Sequence, residues 1–179
     1  TTGIGRRLTP HMAATTLLYL VRHAIAAERG PNYPDDRERP LTSEGIARFK
    51  RAVDGLKELD VKLELVLTSP LVRAMHTAEL LASGIGAKPR MEKLDALAPG
   101  GRMSQVLEAI TKYSKRIHHI ALVGHEPDLG ELAARLLRSR GTIELKKGAV
   151  CCIELDGAMP NGPGTLKWLL PPRALRKLR

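Results

Sequence analysis

Two arginines and two histidines follow apolar segments of the sequence, and their chemistry suits the binding and transfer of phosphate. Arg22 and His23 end the run "LLYLVRH", Arg73 ends "TSPLVR", and His125 follows "ALVG". Arginine offers a planar fork of N–H donors to phosphate oxygens, and neutral histidine offers a nitrogen lone pair to phosphorus. In one crevice these groups would repel one another without an anion, so we expect a dianion such as a phosphoryl group there.

Other ways of handling phosphate require motifs that this sequence lacks. It contains no G-x-x-x-x-G-K-[ST], no G-x-G-x-x-G after the first apolar segment and no constellation of aspartates for a magnesium-dependent phosphotransferase. We therefore expect neither a metal nor a cofactor. Phosphoryl transfer with a histidine nucleophile is the chemistry that remains.

The elements that must position these residues alternate between strand and helix. Their order, β-α-β-α-(β)-α-β-α-β-β, predicts a three-layer α/β/α sandwich with a mainly parallel central sheet and a C-terminal antiparallel edge hairpin. The spacing of apolar residues predicts a helix over 43–59 capped by Thr42 or Ser43. A second helix is predicted with Ser69 as N-cap and Pro70 at its first position. In such folds ligands bind beyond the C-terminal ends of the strands.

Composition indicates a single domain with charged ends. The chain has 179 residues, of which 43% are hydrophobic, and a net charge of +10. Several basic residues lie at the two ends, so the interior is only mildly basic. We divide the chain into a flexible leader (1–16), a catalytic domain (17–172) and a basic C-terminal tail (173–179). Basic tails can contact nucleic acid or membranes, but we interpret them as solubilising and expect neither partner.

The two cysteines are adjacent, at Cys151 and Cys152. Neighbours in a strand point to opposite faces of the sheet, so this pair is predicted to fill the core rather than form a disulfide. No apolar run approaches the roughly 20 residues needed to span a bilayer. Together with the absence of a signal-peptide pattern at the start, these features favour a cytoplasmic protein.

Three motifs, "LVRHA", "LTSPLVRAMHTA" and "VGHEPDLG", together resemble the histidine phosphatase superfamily, which has the phosphoglycerate-mutase-like fold. The elements "DRERPLTSEG", "GHEPD" and "WLLPPRALRKL" are similar to the small bacterial SixA-type phosphohistidine phosphatases. Ala24 stands where most members have glycine. The resemblance implies that His23 is the nucleophile of a phosphatase, and that Arg22, Arg73 and His125 form its phosphate pocket. Inorganic phosphate, vanadate and tungstate are the implied pocket ligands.

A general acid is not evident, and three carboxylates are candidates: Asp95, Glu126 and Asp128. The absence of a clear acid favours a phosphohistidine protein as substrate, because its leaving nitrogen can be protonated in solution. Two alternatives stay open. One is a phosphomonoesterase for a small metabolite, and the other is a non-catalytic module that binds phosphate or polyanions. In either enzyme, the nearby Arg22 and Arg73 are expected to lower the pKa of His23.

Overall fold

A computed structural model describes residues 15–86, 88–157 and 163–178. Within them it has six strands: β1 (Thr15–Arg22), β2 (Leu65–Thr68), β3 (Arg90–Lys93), β4 (His119–Gly124), β5 (Val150–Asp156) and β6 (Thr165–Leu170). The helices are α1 (Ser43–Glu58), α2 (Val72–Ile85), α3 (Met103–Ser114), α4 (Asp128–Leu136) and the short α5 (Pro172–Leu175). Two 3-10 turns cover Asp36–Glu38 and Asp95–Leu97.

The strands form one sheet in the order β3-β2-β4-β1-β5-β6. The first four of these are mutually parallel, whereas β5 runs antiparallel to β1 and pairs with β6 as an antiparallel edge hairpin. Arg22 pairs with Gly124, and Thr68 pairs with Val123. This register brings the ends of β1, β2 and β4 to the same level at one edge of the sheet.

Helices cover both faces of this sheet, which confirms the predicted α/β/α sandwich. Tyr19 and Val21 of β1 belong to the apolar cluster formed with α1, α2 and α5. Leu18 and Leu20 point the other way, into the cluster formed with α3 and α4. Because alternate residues of a strand face opposite sides, burial on both faces explains why β1 is an unbroken apolar run.

Of the two predicted helix starts, that of α1 agrees with the structure and that of α2 does not. The Thr42 hydroxyl accepts a hydrogen bond from the Gly45 amide at 2.9 Å, which confirms Thr42 as the cap of α1. The prediction of Ser69 as a helix N-cap is wrong, because the N-cap of α2 is Leu71. The Ser69 amide still donates to Val123 of β4, so the chain leaves the sheet only after this residue.

The predicted domain limits at 16 and 172 can be compared with the elements at the two ends of the described chain. The division into domains itself stays a prediction. Residues 1–14 of the predicted leader lie outside the described residues, and Thr15 and Thr16 belong to β1. The limit at 172 falls inside α5, where Leu175 is fully buried against α1. Cys151 and Cys152 are buried and unbridged, as expected of core residues. In the described parts of the chain, no helix is long and apolar enough to cross a membrane.

Candidate active site

His23 lies immediately after β1, in a position fixed by backbone bonds. Its amide donates to the Gly124 carbonyl at 3.1 Å, and its side chain is 6% exposed. Nδ1 lies 2.7 Å from the carbonyl oxygen of Ala24. A carbonyl only accepts hydrogen bonds, so Nδ1 carries the proton of the neutral ring. The lone pair is therefore on Nε2, the nitrogen that remains available as a nucleophile.

The surroundings of His23 keep its ring neutral. Burial lowers the pKa of His23 to about 4, and the positive charges of Arg73 and Arg22 act in the same direction. The two arginines were expected from the sequence, but the larger effect of burial was not. A histidine with this pKa is unprotonated at neutral pH, as nucleophilic attack requires.

His125 lies beside His23, with the two ring centroids 5.1 Å apart. Its Nε2 shares a hydrogen bond of 2.8 Å with the Ser69 hydroxyl at the end of β2, and its Nδ1 is buried without a partner among the described residues. Burial lowers the pKa of His125 to about 3, and repulsion from His23 once that ring is protonated and from the charge of Arg73 acts in the same direction. Ser69 thus orients a second neutral ring.

Arg73 extends from the first turn of α2 and is 2% exposed. Its Nη1 donates to the backbone oxygen of Asp36 at 2.7 Å, and its Nη2 donates to the Asp36 carboxylate at 2.9 Å. Arg39 donates to the same carboxylate at 2.7 Å. Burial raises the pKa of Asp36, but the bonds from Arg39 and Arg73 outweigh it and lower this pKa to about 2. Sequence reasoning missed Asp36, which looked like one charge among many in a loop.

Arg22 and Arg73 each have a buried Nε without a partner among the described residues. Nη1 of Arg22 donates to the Leu145 carbonyl at 2.7 Å, which leaves its buried Nε unpaired within the described residues. The buried Nε of Arg73 is likewise unpaired there. An unsatisfied buried donor costs about 1–3 kcal/mol. An oxyanion bound by these donors would remove that cost.

Thr77 of α2 links the backbone after His23 to the helix that carries Arg73. Its hydroxyl donates to the Arg73 carbonyl at 2.7 Å and accepts from the Ala24 amide at 3.0 Å. One side chain therefore fixes the backbone that follows His23 relative to the helix that carries Arg73. Ala24 itself is 2% exposed, so its methyl group is tightly packed.

The three candidate acids differ in their contacts. Glu126 accepts from the Leu145 amide at 2.9 Å, and burial raises its pKa. Asp128 accepts from the Gly100 amide at 3.1 Å. The side chain of Asp95 is exposed at the start of its 3-10 turn. Glu126 and Asp128 thus each accept a hydrogen bond from a loop amide. The role of any of the three as proton donor stays a prediction.

Comparison with known proteins identifies the family of this chain. A family model described as "Histidine phosphatase superfamily (branch 1)" matches residues 18–98. The chain is 37% identical to an uncharacterised protein of Picosynechococcus sp. over 169 residues, covering 86% of this chain and 99% of that one. The chain belongs to the histidine phosphatase superfamily. With the SixA relatives described next, this membership makes it a phosphatase, a hydrolase, and the hypothesis of a non-catalytic binding module is set aside.

Among superfamily members, the phosphohistidine phosphatase SixA of Escherichia coli is 28% identical over 162 residues, which cover 89% of this chain and 96% of that protein. A solved structure of the protein histidine phosphatase SixA, complexed with tungstate, superposes with a TM-score of 0.80 at 27% identity. That comparison covers 89% of this chain and 99% of the SixA chain. The chain is SixA-like along nearly the whole length of these relatives.

Proposed function

We propose that this phosphatase removes the phosphoryl group from phosphohistidine in a protein, through a phospho-His23 intermediate. The observation that carries the proposal is the state of His23: a buried, neutral ring whose Nδ1 is bound to the Ala24 carbonyl and whose Nε2 is left as nucleophile. The substrate class is supported by the likeness to SixA of Escherichia coli.

The proposed reaction has two displacements at phosphorus. Nε2 of His23 attacks in line, the new N–P bond forms, and the P–N bond of the substrate breaks. The leaving imidazole takes a proton from solvent or keeps the one it already carries. Water then cleaves phospho-His23 and releases inorganic phosphate, which restores the neutral ring. Arg22, Arg73 and His125 stabilise the charge on the equatorial oxygens in both steps.

The first experiment tests the nucleophile with His23→Ala. We expect turnover to be abolished with the fold intact, because His23 lies at a strand end rather than in the apolar core. Acid-labile phosphate from a labelled substrate is expected on wild-type protein and not on the variant. His76→Ala, a half-buried histidine on α2, is the control and should retain the label. Label that persists on His23→Ala would contradict the assignment.

The second experiment identifies the substrate. The purified protein is given a phosphorelay domain that carries phosphohistidine and, separately, a panel of phosphate esters, and the kcat/KM values are compared. We expect the highest value on the phosphohistidine protein. A higher value on one metabolite ester would establish the phosphomonoesterase alternative instead. Phosphate, vanadate and tungstate should inhibit competitively, and EDTA should have no effect.

A further inference from the structure

A basic cleft opens beside the candidate active site. It has a volume of about 580 Å³ and shares Arg22 and Ala24 with that site. Its walls come from the loop after β1, from α1, from the turn before β5 and from α5 with the residues preceding it. One acidic residue, Glu144, lies among six basic ones: Arg22, Arg48, Lys146, Lys147, Arg173 and Arg176.

Four of these six cations lack an acidic partner. Arg22, Lys147, Arg173 and Arg176 form no ion pair with any residue that the structure describes. Burial lowers the pKa of Arg176, and the positive charges of Arg48, Arg51 and Arg173 act in the same direction. Like charges held this close repel one another. An anionic ligand in the cleft would relieve that repulsion.

The cleft is connected to His23 through the backbone. Gly148, in a left-handed conformation with φ of 78°, donates its amide to the carbonyls of both Arg22 and His23, each at 3.1 Å. This bond holds the preceding Lys147 close enough for its charge to contribute to the lowered pKa of His23. The cleft therefore begins at the two residues that flank His23, Arg22 and Ala24.

The chemistry of the cleft favours protein carboxylates over nucleic acid. Three of its cations, Lys146, Lys147 and Arg173, are exposed on long, mobile stems, which suits steering of a charged protein surface. Proteins that bind single-stranded nucleic acid add aromatic rings on which bases stack. The one aromatic residue in the described lining, Phe49, is 1% exposed and packs in the core.

We propose that the basic cleft docks an acidic segment of the substrate protein, with Asp or Glu side chains next to the phosphohistidine. This proposal rests on the proposed function, since it assumes a phosphohistidine protein as substrate. It adds a specificity: substrates with acidic surroundings are preferred over those with neutral surroundings.

The experiment uses two phosphohistidine peptides of equal length, one with flanking Asp and Glu and the other with Asn and Gln. Wild-type protein should show a kcat/KM about 10- to 100-fold higher on the acidic peptide, mainly because its KM for that peptide is lower. High salt should reduce this preference. The variant Lys146→Glu/Arg173→Glu should lose this preference while its activity on free phosphohistidine and on an aryl phosphate stays normal. Lys146→Gln/Arg173→Gln, a milder change, should show an intermediate preference.

The matched control is Lys115→Glu/Arg116→Glu, two exposed cations at the end of α3 on the other face of the sheet, which should keep the full preference. If wild-type protein cleaves both peptides equally, or if the cleft variants behave like the control, the docking proposal fails and the proposed function stands. If wild type cleaves neither peptide but cleaves esters, the proposed function fails. The docking proposal would also be overturned if the Lys146→Glu/Arg173→Glu variant lost as much activity on free phosphohistidine as on the acidic peptide. The same holds if an oligonucleotide inhibited the wild-type protein as strongly as an acidic peptide does.

Discussion

Asp36 holds the guanidinium of Arg73 in one orientation by accepting from both of its terminal nitrogens. The side chain of Arg73 is almost fully buried, so its charge depends on this partner. A bidentate contact needs a planar fork, which lysine does not have. If Arg73 binds the phosphoryl group as proposed, Asp36 acts on the reaction only by positioning Arg73.

We predict that Arg73→Lys lowers kcat/KM by about 10²-fold or more, the scale for one preorganised donor. Asp36→Asn keeps an acceptor but loses the charge, and should lower kcat/KM by about tenfold, as expected for a weakened charge-assisted bond. In the Arg73→Lys background the Asp36→Asn change should have little further effect. Asp35→Asn, at the neighbouring cap of the same turn, is the control. Additive effects of the two changes would show that Asp36 acts independently of Arg73.

The candidate acids allow a second test at this scale. Asp95→Asn, Glu126→Gln and Asp128→Asn should each keep most of the activity on a phosphohistidine protein, because no alkoxide leaves. On an alkyl phosphate, loss of a true general acid would cost on the order of 10²–10⁴-fold. Measuring kcat/KM for each variant on a phosphohistidine protein, an alkyl ester and an activated aryl ester separates these cases. A variant inactive on phosphohistidine yet normal on the aryl ester would refute the prediction.

Residue types at strand ends could be predicted from the sequence, but their partners could not. Motif spacing and parallel topology were enough to expect Arg22, His23, Arg73 and His125 at one edge of the sheet. The Ala24 carbonyl that fixes the tautomer of His23 is a backbone group and leaves no signal in the sequence. Serine before proline is typical of a helix start and predicts Ser69 as a cap, whereas its hydroxyl shares a hydrogen bond with His125 at the end of the neighbouring strand.

The predicted order of elements lacks the short helix α5, as it lacks the two 3-10 turns. The four residues of α5 are too few to show helical periodicity, and the surrounding arginines and lysine made the segment look like a solvated tail. Leu175 is nevertheless fully buried, and its carbonyl oxygen approaches Gly55 of α1. The helix predicted over 43–59 has a clear apolar pattern and is observed as α1, Ser43–Glu58.

We predict that Gly55→Ala destabilises the protein by displacing α5. A methyl group at this position would lie 2.0 Å from the Leu175 carbonyl oxygen, so the helix must move. Overpacking of this kind costs about 1–3 kcal/mol, which outweighs the roughly 0.5–1 kcal/mol that alanine gains over glycine within a helix. The free energy of unfolding in urea measures the difference. Gly30→Ala, where nothing lies within 4 Å of the added carbon, should be nearly neutral. An unchanged stability of Gly55→Ala would show that α5 is not firmly docked.

For the whole molecule, the two buried histidines link stability to pH. Their pKa values fall from 6.5 in the unfolded chain to about 4 for His23 and about 3 for His125 on folding. Below pH 6.5 the unfolded chain therefore binds more protons than the native protein, and stability decreases as the pH falls towards 4. Asp36, with its pKa lowered from 3.8 to about 2, stabilises above pH 3.8 and loses this contribution between about 4 and 2.

We predict that the free energy of unfolding decreases between pH 6.5 and 4, by up to about 1.4 kcal/mol per pH unit for each histidine. Urea unfolding in phosphate-free buffers at several pH values measures this slope. His23→Gln/His125→Gln should have a shallower slope, and His76→Gln should keep the wild-type one. Equal slopes in all three proteins would mean that other groups cause the acid sensitivity.

The burial of Cys151 and Cys152 has a practical consequence. Burial raises the pKa of Cys151 to about 11 and that of Cys152 to about 12, so neither forms the reactive thiolate near neutral pH. These are the chain's two cysteines, so a maleimide dye should not label the folded wild-type protein. One cysteine introduced on the surface would then be the sole site of labelling. The approach of a substrate protein to a chosen position could be followed by fluorescence without first removing the native thiols.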